Sequence, residues 1–208
     1  MSMRTRVLIP DFGMGNLHSV VRSLSRMNVN PVISADPAEI AKADKIILPG
    51  VGHFERAMQN LSKLGMINEL NEFVLEKKKP ILGICLGMHL MAKSSEEGNV
   101  AGLGWIDAVV VKFNVRNNLK FKIPHIGWNN AIKVSENMLF QNIPDNAEFY
   151  FIHSYHLISP AKTHVASETL YERKFPSAIG KENIFGVQFH PEKSHRHGTT
   201  LLANFMNY

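Results

Sequence analysis

The chain contains 208 residues, of which 45% are hydrophobic and 20% are charged. These fractions are close to the averages for globular proteins, and they exclude collagen-like, low-complexity and intrinsically disordered classes. The formal net charge is +5, a value that by itself leaves a nucleic-acid or membrane-surface partner open.

The excess positive charge lies in one segment, residues 108–135, which contains no Asp or Glu. Its basic side chains are spaced singly among apolar ones, and they are Lys112, Arg116, Lys120, Lys122 and Lys133. Nucleic-acid sites often interleave basic with aromatic side chains, so this spacing favours a solvated face. A phosphate site or a partner contact is the alternative. We expect no nucleic-acid partner.

The chain has a single cysteine, so it cannot form an intramolecular disulfide. Its first six residues lead directly into an apolar, strand-like run instead of a secretory signal. No apolar run reaches the ~18 residues of a membrane-spanning helix. We therefore expect a cytoplasmic protein with no membrane partner.

Short apolar runs alternate with amphipathic stretches in the first half of the chain, which predicts strands that alternate with helices. The predicted strands cover 7–9, 31–34, 45–48 and 81–84, and the predicted helices cover 16–27, 37–42, 54–77 with a break at Gly65, and 86–94. The strand runs are continuously apolar, as in parallel strands that are covered on both faces. The first half therefore predicts an α/β fold.

Beyond Gly98 the pattern changes to strands over 108–113, 119–123, 147–152 and 184–189, followed by a C-terminal helix from about residue 198. No linker or low-complexity tract separates the two halves. We therefore expect one domain, residues 1–208, with a mixed central sheet flanked by helices in three layers. In sheets of this kind, ligands bind beyond the carboxyl ends of the strands.

The segment Gly83-Ile84-Cys85-Leu86-Gly87 ends a predicted buried strand and begins a predicted helix. This is the pattern of a nucleophile elbow with cysteine as the nucleophile. The two glycines let neighbouring backbones pack closely, and the positive end of the helix dipole favours a thiolate. The N–H of Leu86 is then free to bind an oxyanion. A buried structural cysteine is the alternative, and the flanking glycines favour the nucleophile.

A thiol nucleophile needs an oriented base, and the segment His190-Pro191-Glu192 supplies both after an apolar run. Pro191 restricts His190 to extended conformations, and side chains two residues apart on an extended chain point to the same side. Glu192 can therefore bind one imidazole nitrogen while the other faces Cys85. Taken alone, the segment is equally typical of an ordinary strand end.

A third predicted strand ends in Pro49-Gly50-Val51-Gly52. Two glycines in a short loop let peptide N–H groups approach a ligand closely, as a second oxyanion donor requires. The same residues are also typical of a simple turn. The site exists only if all three strand ends converge.

These three blocks resemble the class I glutamine amidotransferase domains, which have a flavodoxin-like α/β fold. Within that class, the segments Asp11–Leu17, Pro124–Asn129 and Tyr150–Tyr155 resemble the glutaminase subunit of imidazole glycerol phosphate synthase. The resemblance runs from about residue 6 to the C-terminus.

The resemblance implies that Cys85 attacks the side-chain amide of glutamine, that His190 acts as base and then acid, and that Glu192 orients His190. It places the oxyanion hole at Gly50, Val51, Gly52 and Leu86. A γ-glutamyl thioester is then hydrolysed to glutamate. The ammonia passes to a (β/α)8 cyclase subunit of histidine biosynthesis, with the docking face near Trp128, Tyr155 and Lys193.

The chain departs from the family at His89, where the usual residue is Gln. The resemblance implies that this position helps to hold substrate glutamine, so His89 is a candidate substrate contact. It lies four residues after the nucleophile and therefore on the same face of the predicted helix. No cofactor or metal is implied, because His190, His195 and His197 lack a set of spaced Cys or carboxylate ligands.

Two other functions remain open from the sequence. A paralogous glutaminase subunit could supply ammonia to a different synthase, such as a sugar-amidating enzyme of surface-polysaccharide biosynthesis. A non-catalytic regulatory module could bind a partner through the same face. The presence of all three residues Cys85, His190 and Glu192 argues against the regulatory module.

Overall fold

The computed structural model describes residues 5–158 and 164–208, whose strands form one large sheet and two smaller sheets. In chain order the strands are β1 Val7–Pro10, β2 Val32–Ser34, β3 Lys45–Gly50, β4 Ile81–Cys85, β5 Ala92–Ser95, β6 Val100–Ala101, β7 Ile106–Lys112, β8 His125–Asn130, β9 Ile132–Lys133, β10 Glu148–His153, β11 Tyr155–Ile158, β12 Val165–Tyr171, β13 Arg173–Lys181 and β14 Ile184–Val187. The α-helices are α1 Leu17–Ser25, α2 Ala38–Ala41, α3 Phe54–Lys63, α4 Met66–Asn71, α5 Leu86–Leu90 and α6 His195–Met206.

The large sheet has the strand order β2-β1-β3-β4-β14-β13-β12-β9. The first five strands run parallel, and β13, β12 and β9 complete the sheet in antiparallel fashion. The prediction of a mixed sheet is therefore confirmed. The carboxyl ends of β3, β4 and β14 lie side by side at one edge, because these three strands are parallel neighbours.

Apolar residues of the central strands alternate between two separate cores, one on each face of the sheet. Leu8 of β1 packs in the same core as the buried faces of α2, α3 and α4. Its neighbours Val7 and Ile9 pack in the opposite core with α1 and α6. This alternation follows from the two-residue period of a strand. It makes the continuously apolar runs the middle of three layers, as the sequence predicts.

Two smaller sheets complete the fold. One pairs β8 with β10, and the other has the order β11-β7-β5-β6. In the first, His125 pairs with His153 at one end and Asn130 pairs with Glu148 at the other. This ribbon reaches the edge where β4 ends, because the carbonyl of Ile152 accepts a contact from the Cys85 thiol.

The predicted helix break at Gly65 is confirmed, since Gly65 has a φ of 68° between α3 and α4. Two other expectations are wrong. The stretch Leu119–Ile123 forms turns instead of a strand, and Leu119 is 86% exposed. The predicted helix 86–94 ends at Leu90, because the chain then enters β5 and pairs with β6 and β7.

Candidate active site

Cys85 occupies a sharp turn between β4 and α5. It is the last residue of the strand, and its backbone has φ 55° and ψ −110°, which few non-glycine residues adopt. The residue is 7% exposed. Its sulfur lies 3.9 Å from the carbonyl oxygen of Ile152 and 3.8 Å from Nε2 of Gln188. The strain at this position is typical of functional sites.

The glycines around Cys85 allow α5 to rest directly against the sheet. A Cβ added to Gly87 would lie 1.7 Å from the carbonyl oxygen of Leu48 in β3. A Cβ added to Gly83 would lie 2.7 Å from the carbonyl carbon and oxygen of Gly87. Neither position has room for a side chain, so the sequence pattern at the elbow has a packing reason.

His190 and Glu192 meet behind the cysteine. Nδ1 of His190 lies 2.8 Å from Oε1 of Glu192, and the two side chains are 3% and 1% exposed. A short 3₁₀ turn, Pro191–Lys193, places the two side chains together. Nε2 of His190 is buried, and none of the residues in the described ranges completes a hydrogen bond with it. This nitrogen is therefore available for proton transfer.

Charge interactions favour the protonated form of His190. Burial opposes protonation, but contacts with Cys85 and with Glu192 outweigh it and raise the pKa of His190 to about 10. Cys85 and His190 follow neighbouring parallel strands, since Ile84 of β4 pairs with Val187 of β14. An imidazolium beside a sulfur stabilises the thiolate, which is the nucleophilic form of cysteine.

Ser194 was not singled out from the sequence, although it belongs to the segment around His190. It is almost fully buried. Its hydroxyl donates to the carbonyl of His190 at 2.6 Å and accepts from the backbone N–H of Tyr150 at 3.0 Å. The backbone N–H of His190 donates to the carbonyl of Tyr150 at 2.9 Å. Ser194 thereby links the turn Pro191–Lys193 to β10.

A cavity of about 310 Å³ opens beside Cys85, within the size range of small-molecule sites. Residues singled out from the sequence that line it are Val51, Gly52, Cys85, Leu86, His89, Tyr155 and Lys193. The sequence assigned no role to four further lining residues, Glu97, Ile152, His153 and Ser154, although the last three belong to the segment Tyr150–Tyr155. No local motif marks Glu97, which reaches the cavity from the turn after β5.

The predicted oxyanion residues lie at the adjoining strand ends. Gly50 is the last residue of β3 and pairs with Cys85 across the sheet. Val51 is 40% exposed, and Gly52 has a φ of 108°. Leu86 begins α5, where peptide N–H groups lack intrahelical acceptors. The oxyanion role of these residues stays a prediction.

His89 is 4% exposed and belongs to the cavity wall. Its Nε2 lies 2.7 Å from Oε1 of Gln188. Burial lowers the pKa of His89 to about 4, so the ring is neutral at pH 7. The predicted contact between His89 and glutamine stays a prediction.

Two of the three candidate docking residues line this cavity, and the third lies on the β8–β10 ribbon. Tyr155 and Lys193 line the cavity, and Nζ of Lys193 lies 5.7 Å from the ring centroid of Tyr150. Trp128 is 45% exposed and stacks on His195 with ring centroids 5.0 Å apart. Their role at an interface stays a prediction.

The basic segment has a mixed environment. Lys112, Arg116, Lys120 and Lys122 are exposed, whereas Lys133 is partly buried and pairs with Asp145 at 2.7 Å. The described residues hold no group of three or more His, Cys, Asp or Glu side chains that could bind a metal ion. Within the same residues, no helix has the length and apolar character needed to cross a membrane.

Comparisons with known proteins point to one family. Residues 8–207 match the family described as glutamine amidotransferase class-I. The chain is 50% identical over 200 residues to "Imidazole glycerol phosphate synthase subunit HisH 2" of Methanococcus maripaludis, which covers 96% of this chain and 98% of that protein. It is 43% identical over 198 residues to "Imidazole glycerol phosphate synthase subunit HisH" of Leptospira borgpetersenii, with coverage of 95% and 97%.

Solved structures share the fold at low sequence identity. "Structure of PurLQS from Thermotoga maritima" aligns with a TM-score of 0.74 at 16% identity, over 99% of each chain. The glutaminase domain of Trypanosoma brucei CTPS, solved with bound acivicin, aligns with a TM-score of 0.68 at 16% identity, over 98% of this chain and 94% of that one. At such identities the likeness concerns the fold alone.

Proposed function

This chain belongs to the class I glutamine amidotransferase family, and we propose that it is the glutaminase subunit of an imidazole glycerol phosphate synthase. It hydrolyses glutamine to glutamate and passes the ammonia to a cyclase subunit. The observation that supports the proposal is that Cys85 and the buried His190–Glu192 pair lie beyond the carboxyl ends of neighbouring parallel strands. The similarity to two HisH subunits over nearly their full length supports that synthase as the enzyme that uses the ammonia.

The reaction begins with attack of the Cys85 thiolate on the side-chain amide carbon of glutamine. Backbone N–H groups at Leu86 and in the loop at residues 50–52 stabilise the oxyanion of the tetrahedral intermediate. The His190 imidazolium donates its Nε2 proton to the departing nitrogen, and ammonia leaves. The product of this half-reaction is a γ-glutamyl thioester on Cys85.

Water completes the cycle. The neutral His190 takes a proton from the attacking water, and the second tetrahedral intermediate collapses to glutamate and the Cys85 thiolate. His190 is then an imidazolium again. The sum is one glutamine and one water converted into one glutamate and one ammonia. Glu192 keeps its carboxylate on Nδ1 throughout, so Nε2 always faces the sulfur.

The charges of the cavity suit a free amino acid. Glu97 is an anion and Lys193 is a cation, and both line the cavity beside Cys85. A glutamine zwitterion has an α-ammonium and an α-carboxylate for these two groups. We assign Glu97 to the ammonium and Lys193 to the carboxylate.

The docking face for the cyclase is assigned to the outer side of the β8–β10 ribbon. Inward residues of this ribbon, such as His125 and Phe151, are buried, while the outward residue Ile126 is 56% exposed. Its partner across the ribbon is Ile152, which also lines the cavity. An apolar surface continuous with the site mouth lets ammonia pass without contact with bulk water.

The experiment is glutamine hydrolysis by the purified chain with and without a (β/α)8 cyclase subunit. We expect little turnover alone, strong activation by the cyclase, and loss of turnover in Cys85→Ala while the circular dichroism spectrum is unchanged. Ammonia release by Cys85→Ala at the rate of the unmodified chain would refute the cysteine mechanism. Activation by a sugar-amidating synthase, but not by the cyclase, would replace the assigned partner.

A further inference from the structure

The side chain of Gln188 lies between the nucleophile and the helix that follows it. Gln188 is fully buried one residue beyond β14. Its Nε2 lies 3.8 Å from the Cys85 sulfur, within hydrogen-bond distance for sulfur. Its Oε1 lies 2.7 Å from Nε2 of His89. The steps of glutamine hydrolysis use neither contact.

The two contacts depend on each other. A primary amide has a carbonyl oxygen that only accepts and an NH₂ group that only donates. With Oε1 on His89, the NH₂ group faces the sulfur, and His89 must carry its proton on Nε2. If the amide were turned over, its oxygen would face the sulfur and repel a thiolate.

We propose that Gln188 donates a hydrogen bond to the Cys85 thiolate and that His89 is a positioning residue that holds the Gln188 amide in the donating orientation. This inference rests on the proposed function, in which Cys85 is the nucleophile. It gives His89 a role through Gln188 that differs from direct contact with glutamine. The three side chains form one buried chain, from His89 to Gln188 to Cys85.

Burial of these side chains restricts the orientation of the Gln188 amide. His89 is 4% exposed and Gln188 is 0% exposed, so water cannot replace a lost partner cheaply. Because burial keeps His89 neutral, its ring has one N–H to donate. Other ionisable groups act on the same sulfur or line the cavity beside it: His190 with Glu192 behind it, His153, Tyr155, Glu97 and Lys193.

The test is a thiol titration of the full chain. Cys85 is the single cysteine, so the pH dependence of thiol alkylation by iodoacetamide reports on it alone. In Gln188→Leu we expect the titration midpoint to rise by about one pH unit, a roughly tenfold change in the thiol–thiolate equilibrium. In His89→Leu we expect a smaller rise, and the double variant should not exceed Gln188→Leu. His89→Gln, whose amide can also donate to Oε1, should restore most of the effect.

Thr169→Val is the matched control, because Thr169 is also fully buried and the substitution removes the hydrogen bond from its Oγ1 to the carbonyl of Asn130 at 2.9 Å. Its midpoint should equal that of the unmodified chain. An unchanged midpoint in Gln188→Leu, or fully additive effects of the two leucine variants, would overturn the inference. If Gln188→Leu does not fold, the comparison of His89→Leu with His89→Gln decides in the same way.

The titration needs neither glutamine nor a cyclase, so it separates the two proposals. If the midpoint shifts in the variants but the protein never hydrolyses glutamine, the hydrogen bonds from His89 to Gln188 to Cys85 are supported and the proposed function is refuted. If the cyclase activates glutamine hydrolysis but no variant shifts the midpoint, the proposed function is supported and the role of Gln188 and His89 is refuted.

Discussion

Replacement of Glu192 by Gln tests how much of the site depends on charge as opposed to orientation. The amide oxygen of Gln can still accept from Nδ1 of His190, which now lies 2.8 Å from the carboxylate. The substitution therefore keeps the ring in place and removes the negative charge. Both side chains are almost fully buried, so solvent does not screen the loss.

The size of the effect follows from the pKa of His190, which is raised to about 10. An opposite charge at this distance usually shifts a pKa by about 1–3 units, so removal of Glu192 should lower the His190 pKa to about 7–9. Each unit corresponds to about 1.36 kcal/mol. The unfolding free energy should thus fall by about 1.4–4 kcal/mol at pH 7.

The sign of the pH dependence follows from linkage. A histidine whose folded pKa exceeds its unfolded value stabilises the fold fully below the unfolded pKa of about 6.5, and this stabilisation disappears as pH rises through about 10. The stability difference between the unmodified chain and Glu192→Gln should therefore be present at pH 7 and vanish above pH 10. We also expect kcat for glutamine to fall by about 10–100-fold with little change in KM.

The measurements are NMR titration of the His190 ring, urea unfolding at several pH values, and glutaminase kinetics with the cyclase. Glu182→Gln is the control, because Glu182 pairs with Lys78 at 3.1 Å on the exposed surface, where such pairs contribute about 0–1 kcal/mol. A His190 titration in Glu192→Gln that coincides with that of the unmodified chain would refute the reasoning.

Three further predictions concern packing, docking and acid stability. Gly87→Ala should lower the unfolding free energy in urea by about 3 kcal/mol or more, since its Cβ would lie 1.7 Å from the Leu48 carbonyl oxygen; a change below about 0.5 kcal/mol would contradict this packing. Ile126→Asp should weaken cyclase binding at least tenfold in calorimetry, whereas Leu75→Asp, also on an exposed apolar residue, should not; equal losses would move the docking face elsewhere. Burial lowers the pKa of His125 to about 4, so as pH drops the unfolded chain binds a proton at this residue before the folded chain does. The unfolding free energy should therefore fall by up to about 3 kcal/mol between pH 6.5 and pH 4. An equally steep fall in His125→Gln would exclude His125 as a source of this pH dependence.

The sequence predicted the parallel half of the fold because its cause is local. The runs around Leu8, Ile47 and Leu82 are apolar at every position, and only a strand covered on both faces buries every residue. The Gly-x-Cys-x-Gly pattern likewise predicts a specific local structure, a tight strand-to-helix turn that packs against a neighbouring backbone. The residues Cys85, His190 and Glu192 could therefore be named from the chain alone.

The antiparallel half was harder to predict because its strands depend on partners. The alternating stretch Leu119–Ile123 has the period of a strand, yet it forms turns, while β8 begins just after it at His125. The segment Ala92–Ser95 leaves the predicted helix because β6 and β7 supply hydrogen bonds there. Pairing of this kind is decided by distant segments, which a local pattern does not record.

The sequence by itself provided the candidates for nucleophile, base and orienting acid, because each of these roles requires a particular functional group. Only the tertiary structure decided which neutral groups surround the sulfur. In the sequence Gln188 carries no signal, and His89 is marked only as a departure from the family. They become partners because β14 lies beside β4 and places Gln188 next to Cys85. A side-chain hydrogen bond between residues 99 positions apart depends on the packing of the whole sheet, since the register between neighbouring strands determines where each strand ends.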